Sequence, residues 1–182
     1  GLGNEGQILL LVRMDYSVLC DLRFEGVYHP EICRDVVMTK YMEQAILLAQ
    51  KAGAAGEVPV GAVIVKDGKV IAVGENRRER TKNALGHAEI EAIDKACRAL
   101  GTWRLDGCEL YVTLEPCPMC AGAIVNSRIS KVVFGAFDPA AGAVDSVTDT
   151  VSLFRPGTEV WAGIEEDRCK ALLTGFFKNI RE

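Results

Sequence analysis

A chain of 182 residues that is 49 % hydrophobic and 25 % charged has one domain's length and a globular composition, which excludes both a disulfide-stapled mini-protein and a disordered chain. Twenty-one basic against 25 acidic residues give a net charge of −4, so a generally basic, nucleic-acid-coating surface is excluded while a local basic patch is not. The apolar run Ile8 to Val12 is shorter than the about 7 to 15 residues of a signal h-region and far below the ~18 of a membrane span. A cytoplasmic protein without membrane contact is expected. Seven cysteines, two of them three apart at Cys117 and Cys120, suit a reduced compartment and metal or catalytic use better than a disulfide framework.

Residues 1–38 hold much of the acidic excess and sustain no period of 2 or 3.6, so they are read as an extension of unknown role, with the domain proper on 39–182. The opening GLGNEG matches G-x-G-x-x-G by letters, but no strand precedes it, and it is read as a plain terminus. Thr39 is expected to N-cap a helix over 39–53, where Met42, Ala45, Ile46 and Ala49 recur at helical spacing. Gly61 to Lys66 and Lys69 to Val73 form two β-rich runs about Asp67-Gly68, a pair that favours a type I′ hairpin turn. Ile90, Ile93, Cys97 and Leu100 mark a helix over 87–100 that Gly101 stops. A strand is expected at Glu109 to Thr113, then a helix that Pro116 opens and that runs to Ser127, then a strand at Lys131 to Gly135. The last two strands are joined through a helix and should be parallel. Glu159 to Ala162 is read as a short strand and Glu165 to Asn179 as a closing helix. The order predicts a mixed sheet with helices on both faces.

The chemistry concentrates at two helix starts, His87-Ala88-Glu89 and Pro116-Cys117-Pro118-Met119-Cys120. One histidine and two cysteines make three ligands, and three protein ligands with an open position is the catalytic zinc pattern, whereas structural zinc closes its shell with four. The only other histidine, His29, lies in the extension. A spacing of three puts both sulfurs on one helix face, and a helix N-terminus favours thiolates. Water at the open position could then ionise, with Glu89 as the proton carrier beside it. Each part has a plainer reading: a redox dithiol for Cys117 and Cys120, a closed structural zinc, a satisfied helix-start histidine, or a first-turn acid on the helix dipole. H-x-E and P-C-x-x-C together are the established signature of zinc nucleobase deaminases.

The stretches EVPVGAVIVKDG (57–68), GEN with Asn76, HAEIEAI (87–93), GTWRLDGCELYVTLEPCPMCAGAI (101–124), SRISKVVFGAFDP (127–139) and the terminal LLTGFFKNIRE resemble the bacterial tRNA adenosine deaminases of the cytidine-deaminase-like superfamily. The resemblance covers about residues 39–182. It implies a three-layer α/β/α sandwich with a five-stranded mixed sheet, a homodimer with the active site near its interface, and hydrolysis of adenosine to inosine at the wobble position of the tRNA anticodon stem-loop. By the same resemblance His87, Cys117 and Cys120 hold Zn2+ and Glu89 shuttles protons. Asn76 would bond the flipped base, Val58, Val60 and Ala88 would line its pocket, Asp138 would lie along the RNA backbone, and Phe176 and Phe177 would meet loop nucleotides.

Two features depart from that pattern. The stretch SLFRPGTEVWAGI has no histidine where such deaminases carry an Asn-His pair, and the basic tail is reduced to Lys178 and Arg181. Arg77, Arg78, Arg80 and Lys82 put positive charge just before His87 and are candidate phosphate contacts, or else a solvated loop. Deamination of a free base or nucleoside by the same centre is the alternative function, and a redox or interaction module on the same fold is the non-enzymatic one.

Overall fold

The Asp67-Gly68 pair turns the chain as its letters predict. Both residues have positive φ, 49° and 71°, as a type I′ turn requires, and the turn joins β1 (Gly61–Lys66) to β2 (Lys69–Glu75) as an antiparallel hairpin with Lys66 opposite Lys69. The register shifts beyond Ile64, which pairs with Ala72 while Val65 pairs with Val70, so Ile71 is the extra residue of a bulge. The computed structural model describes residues 30–181. Expectations for GLGNEG and His29 lie outside the described residues. The chain divides into two compact units, residues 1–40 and 41–182; the described part of the first is helical, and the sheet and site belong to the second.

The sheet has five strands in the order β2-β1-β3-β4-β5, with β3 at Cys108–Leu114, β4 at Lys131–Ala136 and β5 at Glu159–Trp161. β1 pairs antiparallel with both β2 and β3, while β3, β4 and β5 are mutually parallel. Helices α3 (Ala88–Leu100), α4 (Pro118–Ser127) and α6 (Glu166–Arg181), with α1 (Pro30–Ala54) from Tyr41 onward, cover it. Two short helices complete the described part: α2 (Arg78–Thr81) falls in a segment expected as a loop, and α5 (Thr150–Phe154) in one for which no element is expected.

Strand alternation sorts the sheet into two faces. Ala62, Ile64, Leu110, Val112, Val132 and Phe134 point to one side and pack with Ala88, Ala92 and Ala96 of α3 and Ala121 and Ile124 of α4. α3 crosses β2 so closely that a Cβ on Gly74 would sit 2.0 Å from the Ala88 carbonyl oxygen. On the other face a Cβ on Gly61 would meet the Ala45 carbonyl at 2.1 Å, and one on Gly135 would meet the Cys169 sulfur at 2.4 Å, which places α1 and α6 there. Arg168 joins those two helices, donating two hydrogen bonds to the Glu43 carboxylate at 2.6 and 3.0 Å. The result is the expected three-layer sandwich.

Several boundaries differ from expectation by one or two residues, α6 among them at Glu166–Arg181, and three further differences concern α1, α4 and the hairpin. α1 begins at Pro30, so Thr39 lies inside it; the helix propensity of Thr trails that of Ala by at most about 0.7 kcal/mol, too little to stop a helix, and Pro30 is itself a good first residue. α4 is opened by Pro118, with Cys117 as its N-cap in extended conformation (φ −71°, ψ 172°), and Pro116 lies outside it. Both prolines fit a helix start by letter, and only the backbone distinguishes them. The third is β2, which runs two residues past Val73 to Glu75.

Candidate active site

The two parallel-side helices bring their N-termini to one place. His87 is the N-cap of α3 and Cys117 the N-cap of α4, with Cys120 one turn further along. The fold thus converts two sequence-distant helix starts into one cluster. His87 Nδ1 lies 3.6 Å from the sulfur of Cys117 and 3.6 Å from that of Cys120, and all three donor atoms fall within 4.8 Å of one another. Zinc bonds of about 2.3 Å to sulfur and about 2.0 Å to nitrogen, at a tetrahedral angle, require a sulfur-to-nitrogen edge of ~3.5 Å. The three residues therefore form a group that could hold a metal, with geometry that fits tetrahedral zinc. Cys117 and Cys120 are not joined by a disulfide.

Charge at the cluster is strongly perturbed. A hydrogen bond from the Cys120 thiol, together with His87, outweighs burial and lowers the Cys117 thiol to about 4. The same bond and burial push Cys120 up. The hydrogen bond with Cys117 raises His87. Glu89, two residues into the turn that His87 caps and 4 % exposed, is pushed up to about 7 chiefly by burial. A carboxyl at that value can both take and give a proton at neutral pH.

Above the cluster lies a cavity of about 290 Å³. Of the residues singled out in the sequence, Val58, Val60, Asn76, Arg78, His87, Ala88, Glu89, Cys117 and Asp138 line it, and Cys120 is fully buried. Asn76 is held at both ends: its Nδ2 donates to the Val58 carbonyl at 3.1 Å and its Oδ1 accepts from the Arg78 N–H at 3.3 Å. A carboxamide has two donors and two lone pairs, so one of each remains for a ligand.

Phe176 and Phe177 stack edge-to-face on α6 at 5.4 Å and are not among the residues lining the cavity. The basic segment is more neutralised than its letters suggest. Arg77 pairs with Glu91 at 3.4 Å, Arg80 with Glu75 at 3.0 Å and Glu57 at 3.5 Å, and Lys82 with Glu79 at 3.9 Å. Arg78 lies 3.5 Å from Glu79 and lines the cavity.

Sequence reasoning passed over two buried carboxylates of the cavity lining, Glu57 and Glu115, each 1 % exposed. Glu57 accepts the N–H groups of Glu79 at 3.0 Å and Arg80 at 2.7 Å, across the start of α2. Burial alone would raise its pKa, but those N–H groups and the Arg80 guanidinium outweigh it and the net shift is downward. Glu115 likewise is lowered against burial by hydrogen bonds from Ser146, Asp138 and Asp145. Neither carboxylate has a partner that a residue pattern could reveal, because most of their donors are main-chain.

Comparison with known proteins agrees with this geometry. The family model of MafB19-like deaminases matches residues 37–181. The tRNA-specific adenosine deaminase of Bacillus subtilis (strain 168) is 51 % identical over 144 residues, 78 % of this chain and 89 % of the relative. A solved structure of a tRNA:A34 deaminase, studied for A-to-I editing at the wobble position of transfer RNA, superposes with a TM-score of 0.72 at 45 % identity, over 74 % of this chain and 99 % of that one. The guanine deaminase of Nitrosomonas europaea superposes with a TM-score of 0.68 at 26 % identity, over 76 % of this chain and 83 % of that one. The chain belongs to the MafB19-like deaminase family and, within it, to the tRNA-specific adenosine deaminases.

Proposed function

We propose that this chain is a zinc-dependent hydrolase that converts adenosine to inosine at wobble position 34 of tRNA. One observation carries the reading: His87, Cys117 and Cys120 present donor atoms at the edges of a tetrahedral zinc site on the floor of a cavity, with the buried carboxyl of Glu89 beside them. The substrate is supported by the 51 % and 45 % identity to proteins that act on tRNA adenosine. Zinc held by these three residues would supply the Lewis acidity that turns water into a nucleophile at neutral pH.

The overall reaction adds water across the C6–N1 bond of the purine and then breaks the bond from C6 to the amino group, so adenosine and water give inosine and ammonia. Glu89 takes the proton that water gives up and returns it to the departing amine. Burial, which raises its pKa, suits it to hold the proton between the two steps. The cavity of about 290 Å³ lies near the low end of the ~300–1,000 Å³ usual for small-ligand pockets. It accepts one unstacked nucleotide, as deaminases of bases in nucleic acids require, and no duplex. Asn76 offers its spare donor and acceptor to the base edge, while Val58, Val60 and Ala88 supply apolar walls. Asp138 and Arg78 stand at the side where the RNA backbone would pass, and Phe176 and Phe177 would meet nucleotides beyond the cavity.

The domain of residues 39–182 carries this activity, and residues 1–38 are an extension outside the chemistry. Among the described residues no helix is long and apolar enough to cross a membrane. The bacterial tRNA-specific relatives support the cytoplasm as this chain's place of work. A homodimer follows from the family resemblance, and the open groove of about 330 Å³ lined by Trp103, Val125, Asn126, Arg128, Phe154 and Arg155 offers a surface for it. Trp103 and Phe154 are 58 % and 69 % exposed in one copy, apolar surface that a second copy would bury.

The reading is tested by incubating the protein with an anticodon stem-loop carrying A34 and, separately, with free guanine, cytosine and adenosine, while ammonia and inosine are followed. Inosine in the stem-loop is expected. Ammonia from a free base alone would transfer the centre to the second reading, which the guanine deaminase neighbour and the missing Asn-His pair support.

A further inference from the structure

Between the end of β4 at Ala136 and the start of α5 at Thr150 the chain runs through residues 137–149 without a strand or a helix. Its backbone N–H groups need partners that no ladder supplies. The Glu115 carboxylate supplies several of them. Oε1 accepts N–H bonds from Val144 at 3.3 Å, Asp145 at 2.8 Å and Ser146 at 2.8 Å, and Oε2 accepts the Asp138 N–H at 3.0 Å and the Ser146 hydroxyl. A carboxylate has about four acceptor sites in all, so this one is saturated by the loop. The loop closes so tightly on it that a Cβ on Gly142 would lie 2.3 Å from the carboxyl carbon.

The loop matters to the cavity because Asp138 and Ala141 line it. Asp138 Oδ1 accepts the N–H groups of Ala140 at 3.0 Å and Ala141 at 3.2 Å, so fixing the Asp138 backbone fixes both. The anchor also sits two residues before Cys117 on the same turn, and the Ala143 N–H donates to the intervening Pro116 carbonyl at 2.9 Å. One tripeptide, Glu115 to Cys117, therefore carries a ligand of the floor and the hook of the wall.

We propose that Glu115 is a positioning residue for substrate: its buried carboxylate holds the 137–149 loop so that Asp138 and Ala141 form the cavity wall in register with the metal-ligand turn, and it thereby governs affinity for the RNA more than turnover. The substrate named here rests on the tRNA reading above. The loop's dependence on Glu115 does not.

The test is Glu115→Gln. With Oε1 keeping its three donors, the new amide nitrogen faces the Asp138 N–H, donor against donor, at nearly unchanged volume. KM for the A34 stem-loop should rise about tenfold, with kcat within about twofold and metal content unchanged. Ser146→Ala, which removes only the hydroxyl donor, should raise KM by about two- to threefold. It carries the test alone if Glu115→Gln does not fold. Amide hydrogen exchange on the same samples should quicken within residues 137–149 and not in α3 or β3. Unchanged KM with a merely lower melting temperature would overturn the proposal, as would a fall in kcat accompanied by metal loss or exchange that rises uniformly. Wild-type protein that forms no inosine would refute the substrate reading. In that case the localised exchange change, present or absent, still decides whether Glu115 anchors the loop.

Discussion

The floor and the wall of the cavity each rest on a buried glutamate, and the two behave in opposite ways. Glu89 on the floor is pushed up to about 7, mainly because burial penalises its charge. Glu115 in the wall is as little exposed to solvent, yet its pKa is lowered, because the N–H groups of Ser146, Asp138 and Asp145 and the Ser146 hydroxyl point at it. Burial sets the cost of a carboxylate, and the supply of donors decides whether the cost is met. The under-supplied glutamate is free to exchange a proton; the saturated one is fixed as an anion and orders the chain around it. Glu57, also in the cavity lining, repeats the second pattern by gathering the start of α2.

The comparison can be broken first at the floor. Cys120→Ser should lose the metal and, with it, all measurable inosine formation, because one of three ligands goes and a serine hydroxyl is a far poorer ligand than a thiolate. Elemental analysis beside the activity assay reads both. Retained metal would mean that the cluster is not the ligand set.

Next in size is the wall. Gly142→Ala inserts a methyl group where the Glu115 carboxyl already stands, so the loop must move. Overpacking of this kind, at about 1–3 kcal/mol, should lower the melting temperature by about 3–10 °C and raise KM in step with Glu115→Gln.

A smaller effect separates the anchors by pH. The pKa of Glu57 is below its usual value in the folded state, so folding is favoured by its ionised form. That stability is present above the unfolded value of about 4.3 and lost as pH falls through the lower folded value. Glu57→Gln should therefore be less stable than wild type at pH 7, with the gap closing below pH ~4. Urea melts at pH 7, 4 and 3 show it, and a gap independent of pH would contradict the anchoring charge.

The smallest effect concerns Arg78, the basic residue of its segment that lines the cavity. Arg78→Ala should weaken stem-loop binding and reduce the slope of log affinity against log salt by ~0.7. Arg80→Ala should instead act through stability, since Arg80 is engaged by Glu75 and Glu57. Equal salt slopes in wild type and Arg78→Ala would remove Arg78 from the phosphate path.

What was legible in the sequence follows the same division. His87, Cys117, Cys120 and Glu89 could be read because few residue types bind metal or move protons, and their spacing at helix starts restricts the options further. The hairpin, α3 and the parallel pair β3–β4 were legible for a similar reason, since Asp-Gly turns, glycine stops and helical periodicity are local. Glu57 and Glu115 were not, because most of the donors they collect are backbone N–H groups that any residue but proline carries. The start of α1 at Pro30 was hidden by a threonine too weak in propensity to end a helix. The choice of Pro118 over Pro116 was hidden by two prolines flanking one cysteine.

The most direct test of the floor's chemistry is Glu89→Gln, with metal content and single-turnover inosine formation on the A34 stem-loop read from the same sample. Glu89 is a proton carrier and not a ligand in this account, so the variant should keep the metal content of wild type while inosine formation falls by about 10²- to 10⁴-fold. Metal lost together with activity, or inosine formed at the wild-type rate, would contradict it.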